Sequence, residues 1–171
     1  PSSGVATPQR PAEFTAVSQN DTSSYRPITK LEELSSYIEE YLKIADGSHP
    51  IAYDSETTGL NTFECKFLGF SLCYEPGKAV YVPIQQGETQ DLFSQTDYIQ
   101  LEDAVTELIK LFQNPAVTIL MHNAKFDLKV LANLKTKLMG TDLSAWLKAQ
   151  VKDTMVLAWL LNPERTGKNG Y

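Results

Sequence analysis

Val117-Thr-Ile-Leu-Met-His-Asn-Ala-Lys-Phe-Asp127 decides the fold. Residues 117–121 form an apolar, β-prone run, and the chain then passes straight into a helical stretch over 124–134, with Asn123 at the N-cap position. Upstream, Leu101, Ala104, Val105, Leu108, Ile109 and Phe112 recur at helical spacing, predicting a helix over 101–113 that Pro115 ends. Further back, Leu68, Phe70, Leu72 and Tyr74 alternate with Gly69, Ser71 and Cys73, and residues 79–84 form a second β-prone run. Between them Glu75-Pro76-Gly77-Lys78 suits a type II turn, so residues 66–74 and 78–84 predict a hairpin. Residues 51–55 predict a short strand, preceded by an amphipathic helix over 30–44 that a Thr29/Glu32 capping box opens. Near the end, Asp153 caps an apolar helix over 154–161, stopped by Asn162-Pro163, whereas 138–150 is ambiguous. A hairpin plus a strand that returns through a helical crossover gives an α/β layer fold with a mixed sheet and flanking helices.

Composition narrows the function classes. The 171 residues carry 15 basic and 21 acidic side chains, a net charge of −6, which argues against coating duplex DNA through charge alone. Hydrophobic residues make up 42%, ordinary for a globular domain that needs no disulfide or structural metal to fold. Cys65 and Cys73 match neither a zinc knuckle nor a redox pair, and two free thiols in a reducing cytosol are the expected state, with a single disulfide as the alternative. No apolar run reaches the length of a membrane span, so a cytoplasmic location is expected. Pro1, Pro8, Pro11 and Pro27 fall among serines and threonines with no Leu, Ile or Met until Ile28, so residues 1–28 are read as a flexible linker or tail and 29–171 as the domain. The polar run 85–100 is long enough for a flap.

The chemistry is expected at two places. In Ile51-Ala-Tyr-Asp-Ser-Glu-Thr-Thr-Gly-Leu60, Asp54 and Glu56 stand at i and i+2 of a strand and so share a face, with Cα atoms roughly 6.5 Å apart. Two carboxylates so placed repel each other unless a cation lies between them, and hard oxygens suit Mg²⁺ or Mn²⁺. Taken alone, such a pair is common and reads first as a solvated strand end. The second place is Asp127, in the first turn of the helix after residues 117–121, where the helix dipole alone also favours an acid. Were the two places to meet at one sheet edge, three carboxylates could hold two metals about 3.5–4 Å apart, the arrangement for in-line attack on a phosphodiester.

These residues carry a resemblance. Asp54-Ser-Glu56-Thr-Thr-Gly-Leu60 and Asn123-Ala-Lys-Phe-Asp127 resemble the first two motifs of the 3′–5′ proofreading exonuclease domain of the bacterial DNA polymerase I family, within the DEDD (RNase H-like) superfamily. The hairpin Leu68-Gly-Phe-Ser-Leu-Cys-Tyr-Glu-Pro-Gly77 with Ala79-Val-Tyr-Val-Pro83 is closer to polymerase I than to RNase D or Werner-type relatives, and the likeness spans 25–171. It implies an RNase H-like sheet and excision of 3′-terminal nucleotides from single-stranded or frayed DNA beside a polymerase domain of the same parent chain, with no membrane. By the same resemblance, Asp54, Glu56 and Asp127 would hold two divalent cations, Mg²⁺ or Mn²⁺. Leu60 would wedge against the terminal base, and His122, Asn123 and Phe126 would line the groove for the last nucleotides. An ordinary structural role is the alternative for Leu60, His122 and Phe126. The family's third motif, Tyr-x-x-x-Asp, is not found before Tyr171, so the sequence is expected to be a C-terminally incomplete domain that binds cations weakly and cleaves poorly or not at all. A catalytically silent spacer and an RNase D-like RNA exonuclease are the competing expectations.

Overall fold

The computed structural model describes residues 25–84, 98–134 and 143–163. Residues 1–24 of the expected 1–28 linker, most of the expected flap (85–97), 135–142 and 164–171 lie outside the described residues. Six strands form one sheet: β1 (Arg26–Pro27), β2 (Pro50–Thr57), β3 (Phe67–Cys73), β4 (Val80–Pro83), β5 (Thr118–Met121) and β6 (Gln150–Asp153). Their order across the sheet is β1-β4-β3-β2-β5-β6. β2, β3 and β4 form an antiparallel meander, while β5 runs parallel to β2 and β6 parallel to β5. The mixed α/β sheet expected from the sequence is therefore present.

The helices are α1 (Leu31–Leu42), α2 (Leu101–Phe112), α3 (Ala124–Asn133), α4 (Leu143–Trp146) and α5 (Thr154–Leu161). Leu34, Tyr37, Ile38 and Tyr41 of α1 are buried at helical spacing, as are Ala104, Val105, Leu108, Leu111 and Phe112 of α2. Strand parity puts Ile51 and Tyr53 of β2 on one face with Leu72 and Phe70 of β3, and that face forms the core. Phe112 meets Tyr53 edge-on at 5.5 Å between centroids, and the Tyr37 hydroxyl donates to the Leu72 carbonyl at 3.3 Å, so both helices cover this face. Between them Glu107, 6% exposed, takes the Lys110 ammonium at 2.7 Å, and Lys110 also reaches Ser35 of α1.

The opposite face carries Ala52, Asp54 and Glu56, with Cys73, Ser71 and Gly69 as their partners on β3. It is partly open, and it is the face that matters for the site. α5 is apolar all round, yet none of its residues is buried, and Leu160 and Leu161 are among its exposed side chains.

Three local expectations need correction, and one strand, β6, was not foreseen. The capping box does not form, because α1 starts one residue later, with Lys30 at the N-cap and no side-chain cap bond. Order reaches back before Thr29: Arg26 and Pro27 pair with Val80 and Tyr81, and Ile28 is fully buried with its N–H on the Tyr81 carbonyl at 2.8 Å. Strand β6 carries no apolar alternation, since Gln150 and Lys152 are exposed on a sheet edge. Asn123 precedes α3 as expected, but its side chain caps nothing. The turn at Gly77 has the expected φ of +86°, with Lys78 N–H on the Glu75 carbonyl, and both cysteines are free thiols.

Candidate active site

β2 presents Asp54 and Glu56 side by side on the open face, both exposed. Asp127 arrives from the first turn of α3 and is almost completely buried, 1% exposed. β5 pairs with β2 only from Pro50 to Ala52, so Ser55 lies past the end of that ladder. Asp127 takes the orphaned donor: Ser55 N–H donates to its Oδ1 at 2.9 Å. Asp127 thus joins the backbone between Asp54 and Glu56, and the two stretches of sequence do meet.

The electrostatics follow from that placement. Burial pushes the Asp127 carboxyl above the usual carboxylate range; the Ser55 hydrogen bonds oppose this, and the Asp54 charge adds to it. Ser55 Oγ donates to the Tyr53 hydroxyl at 3.1 Å, and burial, with the Asp127 and Asp54 charges behind it, holds that phenol well above its ordinary value. On the other flank, Gly69 is the cross-strand partner of Glu56, and a Cβ at Gly69 would fall 2.6 Å from the Tyr81 hydroxyl. The Tyr81 ring therefore lies over Gly69, and burial, reinforced by the Glu56 charge, raises its phenol as well.

Beside Asp54 the open face forms a cleft of about 480 Å³, with Ser71, Cys73, Leu120, His122 and Thr154 among its walls. Two of the residues expected from the sequence, Asp54 and His122, line it; Glu56, Leu60, Asn123, Phe126 and Asp127 do not. His122 is exposed and its Nδ1 lies 3.1 Å from Thr154 Oγ1. Leu60, 90% exposed, projects from the loop after β2 and takes no part in the core of this chain. Phe126 is half-buried and packs against the core. Asn123 has φ 63° and ψ 52°, left-handed backbone that Asn tolerates better than most residues. Tyr81, Asp153 and Thr154 were not legible as site residues, since neither a hairpin tyrosine nor a helix cap advertises a distant contact.

Among the described residues, no group of three or more His, Cys, Asp or Glu side chains is gathered tightly enough to hold a metal ion. The reason is visible in the burial, which keeps Asp127 turned onto Ser55 while Asp54 and Glu56 face outward. In donor chemistry the three nevertheless fit a hard divalent cation, because all are carboxylates and Asp54 and Asp127 lie near enough to repel.

The sequence pattern of the 3′–5′ exonuclease family matches residues 25–168. The chain belongs to this 3′–5′ exonuclease family. Its curated relatives are polymerases: it is 27% identical over 169 residues to the DNA polymerase I of Treponema pallidum, covering 82% of this chain, and 31% identical over 143 residues to that of Synechocystis, covering 81%. The chain spans only 16% and 13% of those two proteins, so it matches a small part of each. Among solved structures, the RNase domain of the yeast Pop2 protein superposes with a TM-score of 0.57 at 12% identity, over 81% of this chain and 70% of that one. That likeness shows the RNase H-like fold. Among the described residues no helix is long and apolar enough to cross a membrane.

Proposed function

We propose that this exonuclease domain proofreads for a polymerase domain in the same polypeptide, hydrolysing 3′-terminal phosphodiesters of single-stranded or frayed DNA. Asp54, Glu56 and Asp127 would hold two divalent cations, Mg²⁺ or Mn²⁺. Bound there, the cations would supply an activated water and stabilise the charge that develops on the phosphate. The observation that carries the reading is the bond from Ser55 N–H to Asp127 Oδ1, which ties the third carboxylate to the strand bearing the other two.

The remaining roles belong to the chain's own residues. Thr154 Oγ1 donates to the Met121 carbonyl at 3.1 Å, and a hydroxyl has one proton, so the His122 contact must use an Nδ1–H donor. In the neutral ring His122 Nε2 is then an acceptor on the wall that also holds Asp54, suited to a sugar hydroxyl or a nucleobase amine of the terminal nucleotide. Leu60, on its exposed loop, offers an apolar surface to an unstacked base, and Asn123 and the open edge of Phe126 would contact the nucleotides behind it. Such contacts read stacking rather than sequence. A paired 3′ end would have to fray to reach them.

The test replaces Asp54 by Ala in the polymerase-linked protein and follows a primer with a mismatched 3′ end. Excision is expected to fall by at least roughly two orders of magnitude, the loss of about 3 kcal/mol of transition-state stabilisation, while primer extension continues. Survival of excision would overturn the assignment, and so would absence of excision in the unsubstituted protein, the behaviour of a silent spacer. Faster cleavage of a matched RNA oligonucleotide would point instead to an RNA-trimming enzyme.

A further inference from the structure

One carboxylate collects four backbone N–H groups from two separate stretches of chain. Asp153 Oδ1 accepts from Met155 N–H at 2.9 Å and Val156 N–H at 3.3 Å, an ordinary N-cap of α5. The same carboxylate reaches thirty residues back: Oδ1 accepts from Asn123 N–H at 3.1 Å and Oδ2 from Ala124 N–H at 2.8 Å. The neighbouring Thr154 holds the Met121 carbonyl and the His122 ring. Four consecutive residues, 121–124, are therefore gripped by two consecutive residues, the last of β6 and the first of α5.

The local cap explains only half of this. Asn123 is the one non-glycine residue with positive φ among those described, and no bond from its own side chain stabilises that conformation as a cap. A left-handed residue followed by a right-handed helical one turns successive N–H groups toward a common point, a nest that favours an anion. Here Asp153 fills it. The geometry of that turn sets how α3 leaves the sheet, and Asp127 sits within its first turn, 2.9 Å from Ser55 N.

We propose that Asp153 is a positioning residue: by clamping the 121–124 turn to the end of β6, it delivers Asp127 to Ser55, while Thr154 fixes the His122 ring. The clamp stands on geometry alone; its bearing on cleavage rests on the proofreading reading above.

The experiment is residue-resolved amide exchange on the 171-residue chain carrying Asp153→Ser. A serine still offers a short N-cap to α5 but cannot span to Asn123 and Ala124. The Asn123 and Ala124 amides are expected to exchange about tenfold faster or more. The Ser55 amide should follow them, while Met155 and the sheet amides of Ile119 and Val151 hold near their original rates. The Ser55 amide is the readout that a merely local cap would not move. Unchanged exchange at Asn123 and Ala124 would overturn the proposal, and so would a Ser55 amide that stays protected when those two open. If Asp153→Ser does not fold, Asp153→Asn decides on the same amides, since its NH₂ replaces one of the two acceptor oxygens. In the polymerase-linked protein the clamp predicts a lower kcat for 3′-end excision with KM little changed. If the unsubstituted protein excises nothing, the proofreading reading fails and the exchange result alone decides the clamp.

Discussion

Ser55 and Asp127, 72 residues apart in sequence, are joined by a 2.9 Å hydrogen bond from a backbone N–H beyond the end of the β2–β5 ladder to a buried carboxylate. Removing the acceptor leaves that donor buried without a partner. Asp127→Ala is expected to cost about 1–3 kcal/mol, read as a lower midpoint in urea unfolding. A midpoint unchanged from the original would mean that the bond contributes nothing.

Asp127→Asn should behave differently, because an amide oxygen can still accept from Ser55 while the buried charge is gone. The sign follows from linkage: a carboxyl raised by burial favours the neutral form in the folded state, so its ionisation erodes stability as pH rises through the folded value. The Asn variant is therefore expected to melt higher than the original at pH 7, with the gain vanishing below about pH 4, where the aspartate is neutral folded or unfolded. Thermal melts at the two pH values check this. Excision should be lost in the same variant, separating stability from function.

Asp153 runs the other way. Burial raises its carboxyl, but the four N–H groups of Val156, Ala124, Asn123 and Met155 outweigh it and hold the group below its ordinary value. A depressed carboxyl contributes stability above the unfolded value and loses it as pH falls through the folded one. Acid unfolding followed by circular dichroism should therefore be shallower in Asp153→Asn than in the original below about pH 4. Superimposable acid limbs would contradict the hydrogen-bond network.

Gly69 faces a different constraint. A Cβ there would lie 2.5 Å from the Val82 carbonyl oxygen and 2.6 Å from the Tyr81 hydroxyl, and the first of these is backbone that cannot swing away. Gly69→Ala is expected to destabilise by roughly 1–3 kcal/mol, whereas the same change at the half-exposed neighbour Leu68 should cost less. Equal melting temperatures for the two variants would refute the close approach of Tyr81 to the face beside Glu56.

Much of this was legible in the chain itself, and the limits have physical causes. The strand 51–55, the hairpin, α2, α3 and α5 announce themselves through period or turn chemistry, and α5 begins and ends where Asp153 and Asn162 say it should. Strands β1 and β6 did not, since a two-residue strand and an exposed edge strand leave no alternation to read. For the site, the shared face of Asp54 and Glu56 follows from strand parity alone. That Asp127 is buried rather than solvated does not, because its burial is decided by where the β2–β5 ladder stops. Asp153 was legible as a cap and illegible as a clamp: the residues it grips share no local spacing with it.

The central claim is that Asp54, Glu56 and Asp127 hold divalent cations, and titration of paramagnetic Mn²⁺ into the isotopically labelled chain tests it most directly. Broadening is expected first at the amides of Asp54, Ser55, Glu56 and Asp127, reversed by excess Mg²⁺ and weakened by Asp54→Asn. Broadening that spares those amides and appears instead at surface acids such as Glu32 and Glu33 would contradict the account.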